Sequence, residues 1–151
     1  MPQVANPAKV LNFIIEINGI DSMEVQKVSL PETEIESVEH GGANSKIKTA
    51  GMVVIGDCTL EKLKPIPVTG DSAWNWFKQA QDTKKGGGQL SNVYKKIVVI
   101  KEMYPNNTAT ARRWILDGAW IKKISQSDLD RNSSDNIIET CVLSVDDVDK
   151  K

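Results

Sequence analysis

The sequence contains few of the residues that most often perform chemistry in proteins. Its 151 residues include one histidine, His40, and two cysteines, Cys58 and Cys141. A Ser-His-Asp or Cys-His arrangement would have to use His40, which we expect to be an exposed loop residue beside Glu39 and two glycines. One histidine and two distant cysteines also do not match the ligand sets of zinc sites. We therefore predict no catalytic residue, no metal and no cofactor.

The sequence also lacks an excess of charge of one sign and any long apolar run. Its formal net charge is −1, which argues against a protein that binds nucleic acid through an overall basic field. No segment has the roughly 18 apolar residues of a membrane helix, and the first residues do not combine a charged region with an apolar core. We predict neither a membrane anchor nor a signal peptide.

The two cysteines are predicted to be structural. Cys58 and Cys141 both lie inside apolar, strand-like runs, where buried and reduced thiols are the favoured interpretation over a disulfide. This fits a protein that folds in a reducing cytoplasm.

Three carboxylates form the one pattern that suggests an active site. Glu32, Glu34 and Glu36 alternate with other residues, so they would share one face of a strand at a spacing of about 6.6–7 Å. Two glycosidase acids can have such a spacing, but no aromatic residue that would stack on a sugar lies in this segment. A solvated acidic face is the favoured interpretation, and a carbohydrate-acting β-sandwich is a distant alternative.

Apolar and polar residues alternate along most of the chain, which is typical of strands in a two-layer fold. The alternation predicts strands over residues 9–17, 25–30, 32–39, 52–64, 92–103, 110–117, 119–126 and 136–145. The chain lacks the strand-helix-strand order of parallel sheets. We therefore predict a mainly β (α+β) fold, an antiparallel two-sheet sandwich or barrel with one flanking α-helix. Its predicted core comprises Leu11, Phe13, Trp76, Phe77, Val98, Ile100, Trp114, Leu116, Ile138 and Leu143.

One segment, residues 71–82, has helical spacing instead. Its apolar residues recur every three or four positions, a polar residue at its start can cap the first turn, and lysines and a glycine follow its end. The aromatic side of this helix should lie on a sheet. We predict Trp74, Trp76 and Phe77 as its core-facing residues.

The stretch from Val28 to Gly51 alternates like a strand but has no clear buried face. In Glu32–Glu39 the two apolar residues, Ile35 and Val38, point to opposite faces. Such a strand at a sheet edge would expose unpaired backbone groups. We therefore expect another copy of the chain to pair with it around a closed ring.

In a ring of this kind one side of the strand would face a water-filled lumen. We predict Glu32, Glu34 and Glu36 as lumen candidates, some of which would face this water-filled space. The glycine-rich, cationic loop at about residues 40–52 would be an arm that reaches a neighbouring subunit. The predicted arm residues are Gly41, Gly42, Lys46, Lys48 and Gly51.

The order of several motifs resembles the tail-tube proteins of contractile-tailed bacteriophages and related contractile injection systems. The resemblance runs from about Asn12 to Asp147. It rests on the FxxEIxGI opening at residues 13–20, the Trp-x-Trp-Phe helix, the Trp114 segment with its Gly-Ala-Trp sequence at residues 118–120, and the final I-E-T-x-x-L strand. None of these motifs is catalytic.

The resemblance implies hexameric rings that stack into a hollow tube inside a contractile sheath. It implies one tail-tube domain over residues 1–151, with a flexible N-terminus at residues 1–8 and a C-terminal tail at residues 146–151. The implied partners are other copies of the chain, the sheath protein, the baseplate and tail-terminator proteins, and a tape-measure protein or DNA or protein cargo in the lumen.

Two related functions are alternatives within the same fold. One is a tube-initiator or baseplate subunit, which would form single rings, and the other is a secreted hexamer like those of type VI secretion. In each case the chain would be a structural protein, not an enzyme.

Overall fold

The computed structural model describes residues 13–17, 25–42, 44–63, 72–81, 86–103 and 109–151. Within these ranges the chain is mainly β with antiparallel pairing, as predicted, and it has two short helices where one was predicted. In chain order the elements are β1 (Phe13–Ile17), β2 (Val25–Ser29), β3 (Thr33–Gly41), β4 (Lys46–Ile55), β5 (Cys58–Leu63), α1 (Ser72–Ala80), α2 (Ser91–Tyr94), β6 (Lys96–Met103), β7 (Thr110–Gln126), β8 (Ile138–Ser144) and β9 (Asp147–Lys150).

Seven strands form one sheet, which the long strand β7 divides into two layers. The strand order is β1-β6-β7-β8-β5-β2, and β9 also pairs with β7. Residues 110–119 of β7 pair with β6 and β9, whereas residues 120–126 pair with β8. We call β1, β6, β9 and residues 110–119 layer A, and β2, β5, β8 and residues 120–126 layer B. Strands β3 and β4 form a separate two-stranded sheet.

The change of layer within β7 occurs at Gly118. This residue has a φ of +66°, a conformation that favours glycine, and a Cβ built there would lie 2.2 Å from Oδ2 of Asp146. The backbone N–H of Asp146 donates to the carbonyl of Asp117 at 3.0 Å, and Lys95 Nζ lies 2.8 Å from Asp146 Oδ2. These contacts hold the bend of β7 against the junction between β8 and β9.

The core lies between the two layers and follows from alternation along their strands. In β5 and β8 every second residue is buried. The buried apolar residues are Cys58, Leu60, Ala73, Trp76, Val98, Ile100, Leu116, Ala119, Ile121, Cys141, Leu143 and Val145. Phe77 and Trp114 pack against them, so much of the predicted core is confirmed. Ile138 is half-buried at the start of β8.

Helix α1 packs on β7, and only part of its aromatic set faces the core. Trp76 is 1% exposed and its indole Nε1–H donates to the carbonyl of Tyr94 at 2.6 Å. Phe77 is half-buried against the core. Trp74 is 43% exposed, because residue 74 lies on the opposite side of the helix from residue 76, so its prediction as a core residue is wrong. Its ring contacts that of Phe77 at 5.4 Å between centroids.

Several element boundaries differ from the sequence prediction. The predicted strand at residues 92–103 begins with the short helix α2, and β6 starts at Lys96. Residues 110–126 form one bent strand instead of two, because Gly118 bends the backbone without ending it. The predicted C-terminal tail contains β9, which pairs with residues 114–117.

Some predictions lie outside the described residues. These are the flexible N-terminus at residues 1–8, the core residue Leu11, and the first and last residues of the predicted helix at positions 71 and 82.

Candidate assembly surfaces

The hairpin formed by β3 and β4 is the most exposed part of the described chain. Its two strands pair from Thr33 with Ile55 at the base to Gly41 with Lys46 near the tip. Every residue of β3 is exposed, and in β4 only Ile55 is half-buried. Within the described residues no second layer covers either face of this hairpin.

A bulge in β4 explains one of the predicted arm glycines. The register shifts by one residue between Ile35 and Ser37, where Gly51 lies on the opposite strand. A Cβ at Gly51 would be 2.9 Å from Val38 Cγ2 and 3.0 Å from the carbonyl oxygen of Glu36. Glycine allows the two strands to approach at this bulge.

The hairpin exposes both apolar and charged side chains. Its exposed apolar residues, between 44% and 76% accessible, are Ile35, Val38, Ile47, Met52, Val53 and Val54. Near the tip, Lys46 Nζ lies 3.7 Å from Glu39 Oε2, and His40 Nε2 lies 3.1 Å from the hydroxyl of Thr49. The surface can therefore make apolar and ionic contacts together.

All of the predicted arm residues and two of the predicted lumen residues lie on this hairpin. Gly41, Gly42, Lys46, Lys48 and Gly51 fall at its tip or in β4, where the sequence prediction had a flexible loop. That prediction of a loop is wrong for residues 46–51, which belong to β4. Cross-strand pairing with β3 keeps this glycine-containing segment extended.

The predicted lumen carboxylates are exposed, but they do not lie on either layer of the sandwich. Glu34 and Glu36 are in β3, and Glu32 directly precedes it, with its carbonyl accepting a hydrogen bond from the N–H of Gly56 at 2.8 Å. Strand β3 is paired with β4 along its length, so it is not the open edge of the main sheet that the sequence suggested.

Layer B has two open edges. Among the described strands, β2 pairs only with β5, and residues 120–126 of β7 pair only with β8. Neighbouring strands across layer B are antiparallel throughout. Because the layer has four strands, its two edge strands run in opposite directions. An edge of one copy could therefore continue the antiparallel pattern of the next.

The outer face of layer B is mostly polar. Strand register puts its exposed or half-buried residues opposite one another, and in β5 and β8 their neighbours along the strand are buried in the core. These outward residues include Lys27, Ser29, Thr59, Glu61, Lys123, Ser125, Thr140 and Val142. This face was not predicted from the sequence. The alternation of polar with apolar residues in CTLEKL and IETCVLS does indicate it.

His40, Cys58 and Cys141, the residues considered for catalysis or metal binding, do not form one cluster in the described structure. His40 is on the exposed hairpin. Burial raises the pKa of the Cys58 thiol to about 12, which leaves it protonated and a weak nucleophile near neutral pH. Cys58 and Cys141 are both buried free thiols, as predicted. The described part of the chain contains no group of three or more His, Cys, Asp or Glu side chains arranged to hold a metal ion.

Comparison with models of known protein families identifies the family of this chain. A model of the family described as T4-like virus tail tube protein gp19 matches residues 9–149. The chain belongs to this tail tube family.

Solved structures share the tail tube fold at low sequence identity. A chain in the cryo-EM structure of the anti-feeding prophage cap (AFP tube terminating cap) has a TM-score of 0.83 at 17% identity, with 100% of this chain and 95% of that chain covered. A chain in the sheath-tube complex of PVC, an extracellular contractile injection system, in its extended state has a TM-score of 0.79 at 19% identity, with 98% and 93% covered.

More distant similarity extends to Hcp1 from Flavobacterium johnsoniae, with a TM-score of 0.56, 14% identity, and 91% and 93% of the two chains covered. Among proteins of curated function, none matches the sequence significantly. Neither described helix of this tail tube protein is long and apolar enough to cross a membrane.

Proposed function

We propose that this chain is the repeating subunit of the inner tube of a contractile phage tail or phage-like injection system. Copies close into hexameric rings, and the rings stack into a hollow tube that passes DNA or protein cargo. The tube is driven through a target envelope when a surrounding sheath contracts. Membership of the tail tube family supports the structural role, and the open edges of layer B support the ring.

The two open edges of layer B among the described strands are the observation that carries the proposal. Strand β2 of one subunit pairs with residues 120–126 of the next, and each layer B continues the antiparallel pattern of its neighbour. Four strands from each of six subunits give a barrel of about 24 strands, wide enough for an aqueous channel. The closed ring has no exposed sheet edge at this layer, which removes a site of uncontrolled association.

The lumen of this ring is lined by the polar outer face of layer B. Lys27, Glu61 and Lys123 give the face both signs of charge, and its serine and threonine residues keep it wettable. A polar, mixed-charge wall would adhere weakly to cargo. In this arrangement Glu34 and Glu36 lie on the hairpin and Glu32 lies directly before it, and a position of these carboxylates at the lumen stays a prediction.

The hairpin is the arm that joins one ring to the next. Its nine-residue strand β3 would project about 30 Å. Its exposed apolar side chains would be buried against a neighbouring copy, which is the contact that the isolated chain lacks.

The external partners are the sheath, the baseplate and a tube terminator. Similar chains come from structures described as a sheath-tube complex, a baseplate and a sheath/tube terminator, which supports this set of partners. Folding in the bacterial cytoplasm before assembly fits the two free, buried thiols.

Imaging of the purified protein by negative-stain electron microscopy tests the proposal. Hollow rods or stacked rings are expected. Hydrogen exchange on the same samples should show that backbone amides of residues 25–29 and 120–126 become protected on assembly, because edge pairing gives them hydrogen-bond partners. Amides of β1, the open edge of layer A, serve as the internal control and should change little.

Two outcomes would redirect or reject the proposal. Single rings that never stack would favour a tube-initiator or baseplate subunit. A protein that stays monomeric at high concentration and in its native particle, with unprotected β2 amides, would reject ring formation through layer B.

A further inference from the structure

A groove lies at one end of layer B and is not used by the features described so far. Its volume is about 860 Å³. The loop of residues 127–137 forms one wall, and the base of this loop is closed where the N–H of Ser127 donates to the carbonyl of Ile138 at 2.9 Å. The apolar part of the lining comprises Leu63, Leu129, Ile137 and Ile138. Leu129 is 75% exposed, an unusual position for a large apolar side chain.

The groove and the hairpin arm lie at opposite ends of layer B. In β5 the last residue, Leu63, pairs with Ile138 beside the groove. The first residue, Cys58, follows the hairpin and pairs with Leu143 at the other end of β8. Six residues of extended strand separate these ends by about 17 Å. The arm is therefore attached at the end of layer B opposite to that chain's own groove.

The two surfaces have complementary chemistry. The groove is lined by Asp128, Asp130 and Asp135 with one opposing charge, Arg131. None of these three carboxylates forms an ion pair with another described residue.

The tip of the arm carries lysine side chains, opposite in charge to the aspartates of the groove, and an exposed apolar side chain. Lys46 and Lys48 lie on one face of β4 with a single glutamate, Glu39, beside Lys46, and Ile47, which is 65% exposed, lies on the other face. A hairpin tip with one cationic face and one apolar face fits a groove whose lining is part acidic and part apolar.

We propose that the arm tip of one copy docks in the groove of a copy in the adjacent ring, with Ile47 on Leu129 and the two lysines facing the aspartates. This inference rests on the proposed stacking of rings and names the site that receives the arm. A surface at one end of a chain then binds a different surface at the other end. Such a head-to-tail contact does not close on itself, so it can extend a tube indefinitely.

Charge reversal tests the pairing of arm and groove. The variant Lys46→Glu/Lys48→Glu should form rings but reduce the fraction of protein in rods about tenfold or more, because the lost contact recurs in every subunit of a ring. The groove variant Asp128→Lys/Asp135→Lys should have the same effect; it leaves Asp130, which accepts a hydrogen bond from the N–H of Asn132, unchanged. Combining the four substitutions should restore rods.

The matched control combines the arm variant with Asp147→Lys/Asp149→Lys in β9. Its net charge equals that of the rescued protein, but the added lysines are on layer A. It should not restore rods. Rescue by this control, or rods of normal abundance in either two-residue variant, would overturn the inference. Circular dichroism and thermal unfolding establish that each variant is folded.

Cysteine cross-linking gives a second measurement that does not depend on charge. The variant Ile47→Cys/Leu129→Cys, assembled and mildly oxidised, should give a ladder of disulfide-linked chains, because each copy offers one arm and one groove. The control Ile47→Cys/Ile14→Cys places the second thiol on exposed β1 and should give no ladder. The native thiols are buried and should not interfere.

The outcomes separate this inference from the proposed function. Wild-type rods without the specific ladder or charge rescue would overturn the docking site and leave the tube intact. Wild-type protein without rings or rods would overturn both.

Discussion

The two-layer sandwich and the β3–β4 hairpin have similar strand sequences but very different surroundings. In the sandwich, Leu60 is 1% exposed, while Ile47 in the hairpin is 65% exposed. The sandwich has a second layer that buries one face of each strand. A two-stranded hairpin has none and is marginally stable by itself. The stability of the isolated chain should therefore reside in the sandwich, and the hairpin should contribute mainly to contacts between copies.

The largest expected loss of stability comes from breaking a buried ion pair in the sandwich. Lys62 Nζ lies 3.8 Å from Glu139 Oε1, and their side chains are only 5% and 4% exposed. Lys62→Met should lower the free energy of unfolding by about 3–5 kcal/mol, because it removes the opposite charge next to a buried carboxylate. Urea unfolding monitored by circular dichroism measures the change.

Two further variants of ion pairs sharpen the comparison. Lys62→Met/Glu139→Leu should recover most of the loss, since both buried charges are then absent. Lys46→Met, which breaks the exposed pair with Glu39 in the hairpin, should cost less than about 1 kcal/mol. Equal losses for Lys62→Met and Lys46→Met would contradict the assignment of stability to the sandwich.

A somewhat smaller loss is expected from truncating a core side chain. Leu60→Ala should destabilise the isolated chain by about 2–5 kcal/mol, because it removes buried methyl groups and leaves a cavity. Ile47→Ala in the hairpin should change the stability of the isolated chain by less than about 0.5 kcal/mol. The denaturation midpoints of the two variants test this, and a large loss for Ile47→Ala would show that the hairpin packs on its own chain.

A substitution at the bend in β7 should cause an intermediate loss of stability. Gly118→Ala introduces a Cβ at positive φ and close to the Asp146 carboxylate, so we expect a loss of about 1–3 kcal/mol. Gly41→Ala in the hairpin, where a Cβ meets nothing within 4 Å, should be nearly neutral. Adding Asp146→Gly to Gly118→Ala, compared with Asp146→Gly alone, removes every side-chain atom of residue 146 that the new Cβ would meet, including Cβ at 2.8 Å, and so separates the steric part of the loss from the backbone strain. No loss in the first variant would refute the need for glycine at the bend.

The smallest effect on stability concerns the buried thiol of Cys58. Its raised pKa means that the folded state holds the proton more tightly than the unfolded state, whose thiol titrates near 9.0. This contribution to stability is fully present below pH 9 and is lost as the pH rises towards 12. At pH 8 a thiol reagent should label Cys58 only after unfolding, while the variant Ile47→Cys should label at once. Rapid native labelling of Cys58 would show that the core opens easily.

The general architecture was predictable because burial leaves a period-two pattern in the sequence. The strands CTLEKL and NIIETCVLSV alternate clearly, and their alternate residues form the core. The aromatic helix was predictable for the same reason at helical spacing. The prediction for Trp74 is wrong because helical residues two positions apart, such as 74 and 76, point in different directions.

The assembly surfaces were only partly predictable. The polar stretch at residues 32–51 indicated a strand that lacked its own core, and the predicted arm residues do gather on one exposed hairpin. Residues 46–51 of the second strand of that hairpin were missed because Gly41, Gly42 and Gly51 predicted a flexible loop, whereas residues 52–55 fall within the predicted strand at residues 52–64. The polar outer face of layer B and the groove both combine residues distant in sequence, so no local pattern identified them.

The sequence alone determined the layer-forming strands, the helix and the family, since these depend on local periodicity and on the order of motifs. Tertiary structure decided which strands became neighbours, which edges stayed open and how the ends of layer B differ. Gly118 illustrates the division, because the residue type permits a bend but only the packing of Asp146 and Lys95 against it selects one. The local pattern of one strand shows which of its faces is apolar but not which distant strand pairs with it, and that choice depends on how all the apolar faces pack together.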